Sequence, residues 1–187
     1  MLDTIKLTLI TFSLILFAGC AEQNNMNHQT EAENADFYEL VTVLHPTMGS
    51  QAEGVVRFYQ TDEGIRVVAE ISQLEPNSAH GFHIHEFGDC TAPDGTSAGG
   101  HFDPHDQPHA GPEDDERHVG DMGNLVADEN GIADIDYVDP VLSFTGEDSI
   151  LGRGVIVHAG EDDLESQPTG DAGARLACGV IGVAQSE

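Results

Sequence analysis

The residues of this chain that could do chemistry crowd into one stretch. Of its ten histidines, His80, His83, His85, His101, His105, His109 and His118 fall between His80 and Gly123, and His158 follows further on. His83 and His85 are two apart in a run that reads as a strand, so both project from one face and Ile84 goes to the other. Three more histidines follow in a Gly/Pro/Asp-rich loop, and His118 and Asp121 stand at the start of the next apolar run. Imidazole and carboxylate are ligand types that zinc and copper take, and an Asp oxygen favours zinc over Cu(I). The alternative is a histidine-rich solvated loop, and spacing alone does not say which histidines share an ion. A loop of this length without secondary structure inside a compact domain is either functional or a sign of misassigned elements. The histidines argue for a metal-binding loop.

Composition narrows the setting. The chain has 187 residues, enough for one substantial domain with a good core. It carries 34 acidic against 6 basic residues, a formal net charge of −28. That surface argues against nucleic acid, whose binding needs clustered cations, and it repels anionic membranes. Acidic excess keeps a protein soluble and is tolerated best at high ionic strength, which fits a saline habitat and equally an ordinary acidic secreted protein.

The first residues read as targeting rather than fold. Leu7 to Ala18 is an apolar run too short to span a bilayer comfortably, and it ends in Phe17-Ala18-Gly19-Cys20. This resembles a bacterial lipobox, in which signal cleavage precedes the cysteine and a lipid is attached to its sulfur; the alternative is a plain signal peptide with an incidental cysteine. Phe17 in place of an aliphatic residue, and Asp3 offsetting Lys6, depart from the lipobox pattern. Residues 1–19 are therefore expected to be a signal peptide. Residues 20–36, rich in Asn, Gln, Glu and Ala, are expected to form a flexible tether spanning on the order of 20 Å, with Cys20 lipidated. Residues 37–187 are expected to form the folded domain; either way the mature protein is extracytoplasmic, in the periplasm or on the outer face of a membrane, and touches membrane only through the anchor.

From Phe37 onward the pattern is β. Runs at Phe37 to Leu44, Gly54 to Gln60, Ile65 to Ile71, Ala79 to His85, Leu125 to Ala127, Ile132 to Val138, Gly154 to His158 and Ala177 to Ala184 are separated by turn residues. Asp62-Glu63-Gly64 predicts one tight hairpin, and Asp128-Glu129-Asn130-Gly131 predicts another between the fifth and sixth runs. No long stretch has helical period. About eight strands imply an all-β antiparallel sandwich or barrel.

Several motifs then carry a resemblance. Gly81-Phe82-His83-Ile84-His85-Glu86-Phe87-Gly88-Asp89 and Gly152-Arg153-Gly154-Val155-Ile156-Val157-His158 are similar to the two signatures of copper/zinc superoxide dismutases. Gly99 to Pro104, Arg117 to Asp121 and Gly173 to Gly182 match the same family in the right order, so the resemblance covers about Phe37 to Gln185. It implies an eight-stranded Greek-key β-barrel or sandwich of immunoglobulin-like architecture.

Carried over position by position, the resemblance implies copper held by His83, His85, His101 and His158, and zinc held by His101, His109, His118 and Asp121. His101 would bridge the two and act as a catalytic proton carrier while copper cycles between oxidising one superoxide to oxygen and reducing the next to peroxide. Zinc would fix the loop and tune the bridge. Asp162 matches a carboxylate that links His83 and His109, and Arg175 the catalytic arginine beside copper that attracts the anion. Cys90 and Cys178 match a disulfide, which export makes plausible and which leaves Cys20 as the odd cysteine. His80 matches a bracing histidine. His105 has no counterpart as a ligand, His45 reads as a surface-loop residue and His28 as solvated.

The 162–175 loop is shorter than in animal enzymes and has no lysine. Phe87-Gly88 and the Ile181-Gly182 tail resemble the eukaryotic dimer patch, whereas bacterial members pair differently or not at all, so a homodimer stays open. The activity expected is superoxide dismutation in antioxidant defence of the cell envelope. The alternative is an extracytoplasmic copper/zinc-binding module, a chaperone or buffer, which would be expected to have lost a copper ligand. A structural sandwich would have no reason to place Arg175 and Asp162.

Overall fold

The computed structural model describes residues 38–185. The expected signal peptide, Cys20 and the tether, as well as the terminal residues of the expected domain, lie outside the described residues. The strands are β1 (Glu39–Pro46), β2 (Glu53–Thr61), β3 (Gly64–Ser72), β4 (Ala79–His85), β5 (Asp121–Val126), β6 (Ala133–Asp139), β7 (Gly154–His158), β8 (Arg175–Val180) and the two-residue β9 (Gly182–Val183); burial alternates along β1, β3 and β6, whereas β4 and β7 are buried almost throughout. Among the described residues there is no α-helix, only a single 3-10 turn at Thr96–Ala98.

Eight strands follow one antiparallel path, β5-β4-β7-β8-β1-β2-β3-β6, and β9 pairs with β1. This is the expected all-β barrel, nearly closed, because β5 and β6 at the two ends of the path stand next to each other. β1 serves both halves: Leu40 and Val41 pair with β9, and His45 and Pro46 pair with β8. The inward residues Leu40, Phe58, Val67, Phe82, Leu125 and Val155 belong to one continuous core. At about 25 cal/mol per Å² of buried apolar surface, this core is the largest stabilising contribution.

The structure departs from the sequence reading in four places. The Asp128–Gly131 turn forms, closed by Asp128 N–H donating to Ile132 O at 2.8 Å, yet β5 and β6 do not make a hairpin. β5 pairs with β4, from Ala79↔Val126, and β6 pairs with β3, from Ile71↔Ala133. The turn is taken up by residues 74–77 instead: Leu74 N–H donates to Gly131 O and Asn77 N–H to Asp128 O. Turn chemistry is local, whereas strand partners are set by the whole topology. Second, the loop is less bare than it reads, since His101 makes a β-bridge with His85 and β5 begins at Asp121 itself. Third, the last run begins at Arg175 and breaks at Ile181. Fourth, His45 is exposed but lies within β1 rather than in a loop.

Candidate metal centre

β4 carries the first two histidines. Phe82 and Ile84 enter the core, and His83 and His85 point to the other side, where the 86–120 loop covers them until both are fully buried. The registers of β4–β5 and β7–β8 shift between Gly81 and His83, and between Val157 and His158. Such bulges re-aim side chains, and here each shift immediately precedes a histidine of the site.

Two groups of four donors result, each with its ligand atoms within 4.8 Å of one another: His83, His85, His101 and His158, and His101, His109, His118 and Asp121. His101 belongs to both. In the first group the outer nitrogens are occupied. His83 Nε2 donates to Asp162 Oδ2 at 2.6 Å, His85 Nδ1 to Gly99 O at 3.0 Å and His158 Nδ1 to Gly173 O at 3.2 Å. The opposite nitrogens therefore turn inward, and His85 Nε2 and His158 Nε2 stand 3.4 Å apart. His83 Nδ1 and His101 Nε2 are buried without any hydrogen-bond partner. Orphaned imidazole nitrogens converging on one point have the chemistry of a metal-ligand set.

The second group gathers around one oxygen. Nδ1 of His101, His109 and His118 lie 2.7, 2.9 and 3.1 Å from Asp121 Oδ1. Asp121 Oδ2 is held separately by the N–H groups of Ala110 at 3.1 Å and His118 at 3.0 Å. Three imidazoles and one carboxylate in a compact cluster suit tetrahedral zinc.

Asp162 spans the two groups. Its Oδ2 accepts from His83, and its Oδ1 accepts from His109 Nε2 at 2.9 Å. Arg175 stands beside the first group: its Nη2 donates to Gly99 O at 2.5 Å, the same carbonyl that accepts from His85, and its Nη1 donates to Gly95 O at 2.5 Å. The Cys90–Cys178 disulfide is formed, with its Cα atoms 5.8 Å apart. His80 stays out of both groups, bonded to Ser78 Oγ at 2.6 Å and to His158 O at 2.9 Å. His105 lies at the surface against Asp148 Oδ1, at 2.5 Å.

Comparison with known proteins decides the family. Residues 52–181 match the copper/zinc superoxide dismutase family model. The chain belongs to that family. It is 50% identical over 145 residues to the copper/zinc superoxide dismutase of Candida albicans, covering 73% of this chain and 93% of the relative. The Saccharomyces cerevisiae counterpart is 47% identical over 154 residues, covering 78% of this chain and 97% of that protein. A third, from Paramecium bursaria Chlorella virus 1, is 46% identical over 140 residues, covering 71% and 74%. Among solved structures, the clock protein EA4 superimposes with a TM-score of 0.73 at 38% identity, covering 81% of this chain and 98% of that one. The chain is thus a superoxide dismutase, an oxidoreductase whose cofactors are copper and zinc.

The electrostatics of the dismutase site favour neutral imidazoles at His85, His101 and His158. Burial, reinforced by neighbouring His83, lowers His101 to about 4 and His158 to about 3, although hydrogen bonds to Asp121 and to Gly173 O oppose this. Burial likewise holds His85 well below its ordinary value. His109 is the exception. Burial pulls it down too, but hydrogen bonds to Asp121 and Asp162 outweigh that and raise it to about 9. Burial opposes ionisation of Asp121 and Asp162, but their histidine partners win and hold both carboxyls far below the usual range. Burial also lowers Arg175, yet a guanidinium stays charged at any working pH.

Three supporting residues were not singled out from the sequence. Arg117 is buried directly before His118; its Nη2 donates to Asp139 Oδ2 at 2.7 Å, and its Nη1 to the carbonyls of His118 at 3.1 Å and Asp121 at 3.1 Å. Asn124 grips the backbone of Asp162. Gln167 grips that of His109. An arginine abutting a histidine of the second group in an otherwise acidic chain was a signal for the first; the other two partners are far apart in sequence and gave none.

Proposed function

We propose that His83, His85, His101 and His158 hold the copper of this dismutase, and that His101, His109, His118 and Asp121 hold its zinc. The observation that carries the assignment is the double membership of His101: Nδ1 faces the carboxylate-containing group, and Nε2 is orphaned within the all-histidine group. Bound copper would supply the one-electron couple that oxidises one superoxide to oxygen and reduces the next to hydrogen peroxide. His101 would take up one proton at Nε2 and yield it to the departing peroxide, whose second proton comes from solvent. Asp162 fixes the orientation of His83 and His109 by holding their outer nitrogens. Arg175, anchored through Gly95 and Gly99, presents a cation to the superoxide anion. Anomalous scattering at the copper and zinc edges tests the ligand sets. Pulse radiolysis of His101→Ala with matched metal content tests the bridge; unchanged turnover would exclude it.

The reading extends to export. The apolar run Leu7 to Ala18, followed by Gly19-Cys20, supports a cleaved, lipid-anchored bacterial protein of the periplasm or the outer face of a membrane. The disulfide uses two of the three cysteines, leaving Cys20 for the lipid, and such bonds persist in oxidising compartments. Cys20→Ala should release the protein from the membrane fraction with its rate unchanged; a wild type without lipid mass would refute the anchor. We propose a homodimer through exposed apolar side chains of β1, β8, β9 and the loop after β4. Val43, Phe87, Val180 and Val183 are 51%, 56%, 44% and 52% exposed, and Val43 and Val180 line one groove. Light scattering of wild type and Phe87→Glu tests it, with a monomeric wild type as the contrary result.

A further inference from the structure

The loop from Asp162 to Arg175 reaches the zinc-side histidines by a second route besides the Asp162 carboxylate. Gln167 turns its side-chain amide onto the backbone of His109, 58 residues away. The His109 N–H donates to Gln167 Oε1 at 2.8 Å, and Gln167 Nε2 donates to His109 O at 2.8 Å. The amide thus pairs with His109 on both sides, as a neighbouring strand would, at a place where no strand runs. Nε2 also reaches Glu165 O at 3.2 Å. Gln167 is exposed, and His109 is buried.

The segment that presents Gln167 is internally closed. Gly170 N–H donates to Ser166 O at 2.7 Å and Asp163 N–H to Gly170 O at 3.0 Å. Asp163 Oδ1 accepts from Glu165 N–H at 3.0 Å and from Ser166 N–H at 2.8 Å. Its inner wall touches the site: Gly170, at φ +66, packs so tightly that a Cβ there would fall 1.8 Å from Asp162 Oδ1 and 2.7 Å from His109 Nε2. This closed turn therefore leaves no room for a side chain beside the His109 ring and also holds the His109 backbone through Gln167. His109 itself sits between Pro108 and Ala110, outside any strand, so its position depends on contacts of this kind.

We infer that Gln167 is a positioning residue for His109: it staples the backbone of a zinc-side ligand to the loop that ends in Arg175. The inference rests on the proposed zinc set, and its structural part stands without it. An exposed glutamine making two short bonds to both backbone groups of one buried histidine has lost side-chain freedom that a solvent-facing role would not cost. The bonds are worth making only if the histidine must be held. Truncating it leaves the His109 N–H and C=O to find water at the edge of a buried site, and the ring loses its fixed approach. Groups that orient metal ligands are worth about 10- to 100-fold in affinity.

The test uses the full metallated protein and the variants Gln167→Ala and Gln167→Glu. Two quantities are read: hydrogen exchange at the His109 amide, with the β3 core amide of Val67 as control, and the rate of zinc release to a chelator. In Gln167→Ala, exchange at His109 should rise roughly tenfold while Val67 is unchanged, and zinc release should rise by about 10- to 100-fold. Gln167→Glu keeps an acceptor for the His109 N–H but sets an oxygen against His109 O, so both quantities should fall between wild type and Gln167→Ala. Wild-type exchange at His109, or wild-type zinc release, in Gln167→Ala would overturn the inference. Equal acceleration at His109 and Val67 would also overturn it, because that is general destabilisation. Neither readout depends on dismutation, so failure here is distinct from failure of the proposed catalytic roles.

Discussion

Asn124 and Asp162 lock together through side chain and backbone: Asn124 Nδ2 donates to Asp162 O at 2.8 Å, and Asp162 N–H donates to Asn124 Oδ1 at 2.8 Å. Asn124 lies on β5, so the barrel wall sets where the Asp162 carboxylate can stand. That carboxylate in turn orients His83 and His109. Asn124→Ala should therefore lower zinc affinity by about tenfold or more although Asn124 touches no ligand. Chelator competition measures this, and an affinity equal to wild type would mean that Asp162 is positioned without it.

The five described arginines differ sharply in what they contribute. Arg66 pairs with Asp136 at 2.6 Å with both side chains about half exposed, and solvent screening leaves such a pair little to contribute. Arg117 and Asp139 lie 2.7 Å apart and are almost wholly buried. Removing one partner strands a buried charge, at about 3 to 5 kcal/mol. Arg117→Ala should thus lower unfolding stability by roughly that amount, and Arg66→Ala far less. Denaturant unfolding compares the two. Similar midpoints would show that the Arg117 site relaxes enough to solvate Asp139.

Much of this architecture was legible in the sequence because its signals are periodic. His83 and His85 at period two must share a face, and the alternation Ala133, Ile135, Tyr137 against Asp134, Asp136 marks a half-buried strand, which β6 is. The Asn-Gly turn was legible as a turn, but not the separation of β5 from β6, because a turn does not encode which strands its flanks will meet. Asn124 and Gln167 were illegible for a related reason. Each acts on a backbone group that its own surroundings in sequence do not contain, and a solvated amide looks the same until the fold brings that backbone to it.

The Cys90–Cys178 disulfide closes a span of 88 residues between the loop after β4 and β8. In the chain-entropy model, closing such a loop stabilises by roughly 4 to 5 kcal/mol, an upper figure. The same loop supplies Gly95 O and Gly99 O to Arg175. Cys178→Ser should lower the melting temperature and also reduce kcat/KM at equal copper content. Loss of stability with an unchanged rate per copper would show that the carbonyls stay in place without the bond.

The metal-free protein should have a stability optimum near pH 6.5. The raised value of His109, about 9 against an ordinary 6.5, gives stability that is complete below about 6.5 and lost as pH rises through 9. The lowered values of His101 and His158, about 4 and about 3, act in the opposite sense: stability is lost as pH falls from 6.5 through those values. Zinc entering the proposed set near neutral pH should displace a proton from His109. Melting of the metal-free protein across pH checks the first point, and buffer-dependent calorimetry of zinc binding checks the second. His109→Gln should abolish the alkaline decline; its persistence would assign that limb to other groups.

A protein of net charge −28 must draw an anion to its site against its own field. Attraction therefore has to be local, and the other arginines among the described residues are poorly placed for it. Arg57 is paired with Glu39, Arg66 with Asp136 and Arg117 with Asp139, while Arg153 lies over the Phe102 ring at 4.0 Å with Nη1 on Glu86 O at 2.6 Å. Arg175 is half-buried, shares the Gly99 carbonyl with His85, and has no carboxylate partner in its hydrogen bonds. Its bonds to Gly95 and Gly99 hold the guanidinium still, which fits positioning as well as attraction. Local charge of this kind raises association rates by about 10- to 1,000-fold. Arg175→Ala should lower kcat/KM by roughly tenfold or more within that range, with copper and zinc unchanged. Arg175→Lys should keep part of the rate, because it retains the charge and loses the planar fork of donors. Screening separates the two contributions: the steering part of the difference should shrink as salt rises, and the positioning part should persist. Pulse radiolysis across a salt series on metal-matched samples makes the comparison. Equal rates for wild type and Arg175→Ala at low salt would remove Arg175 from both roles.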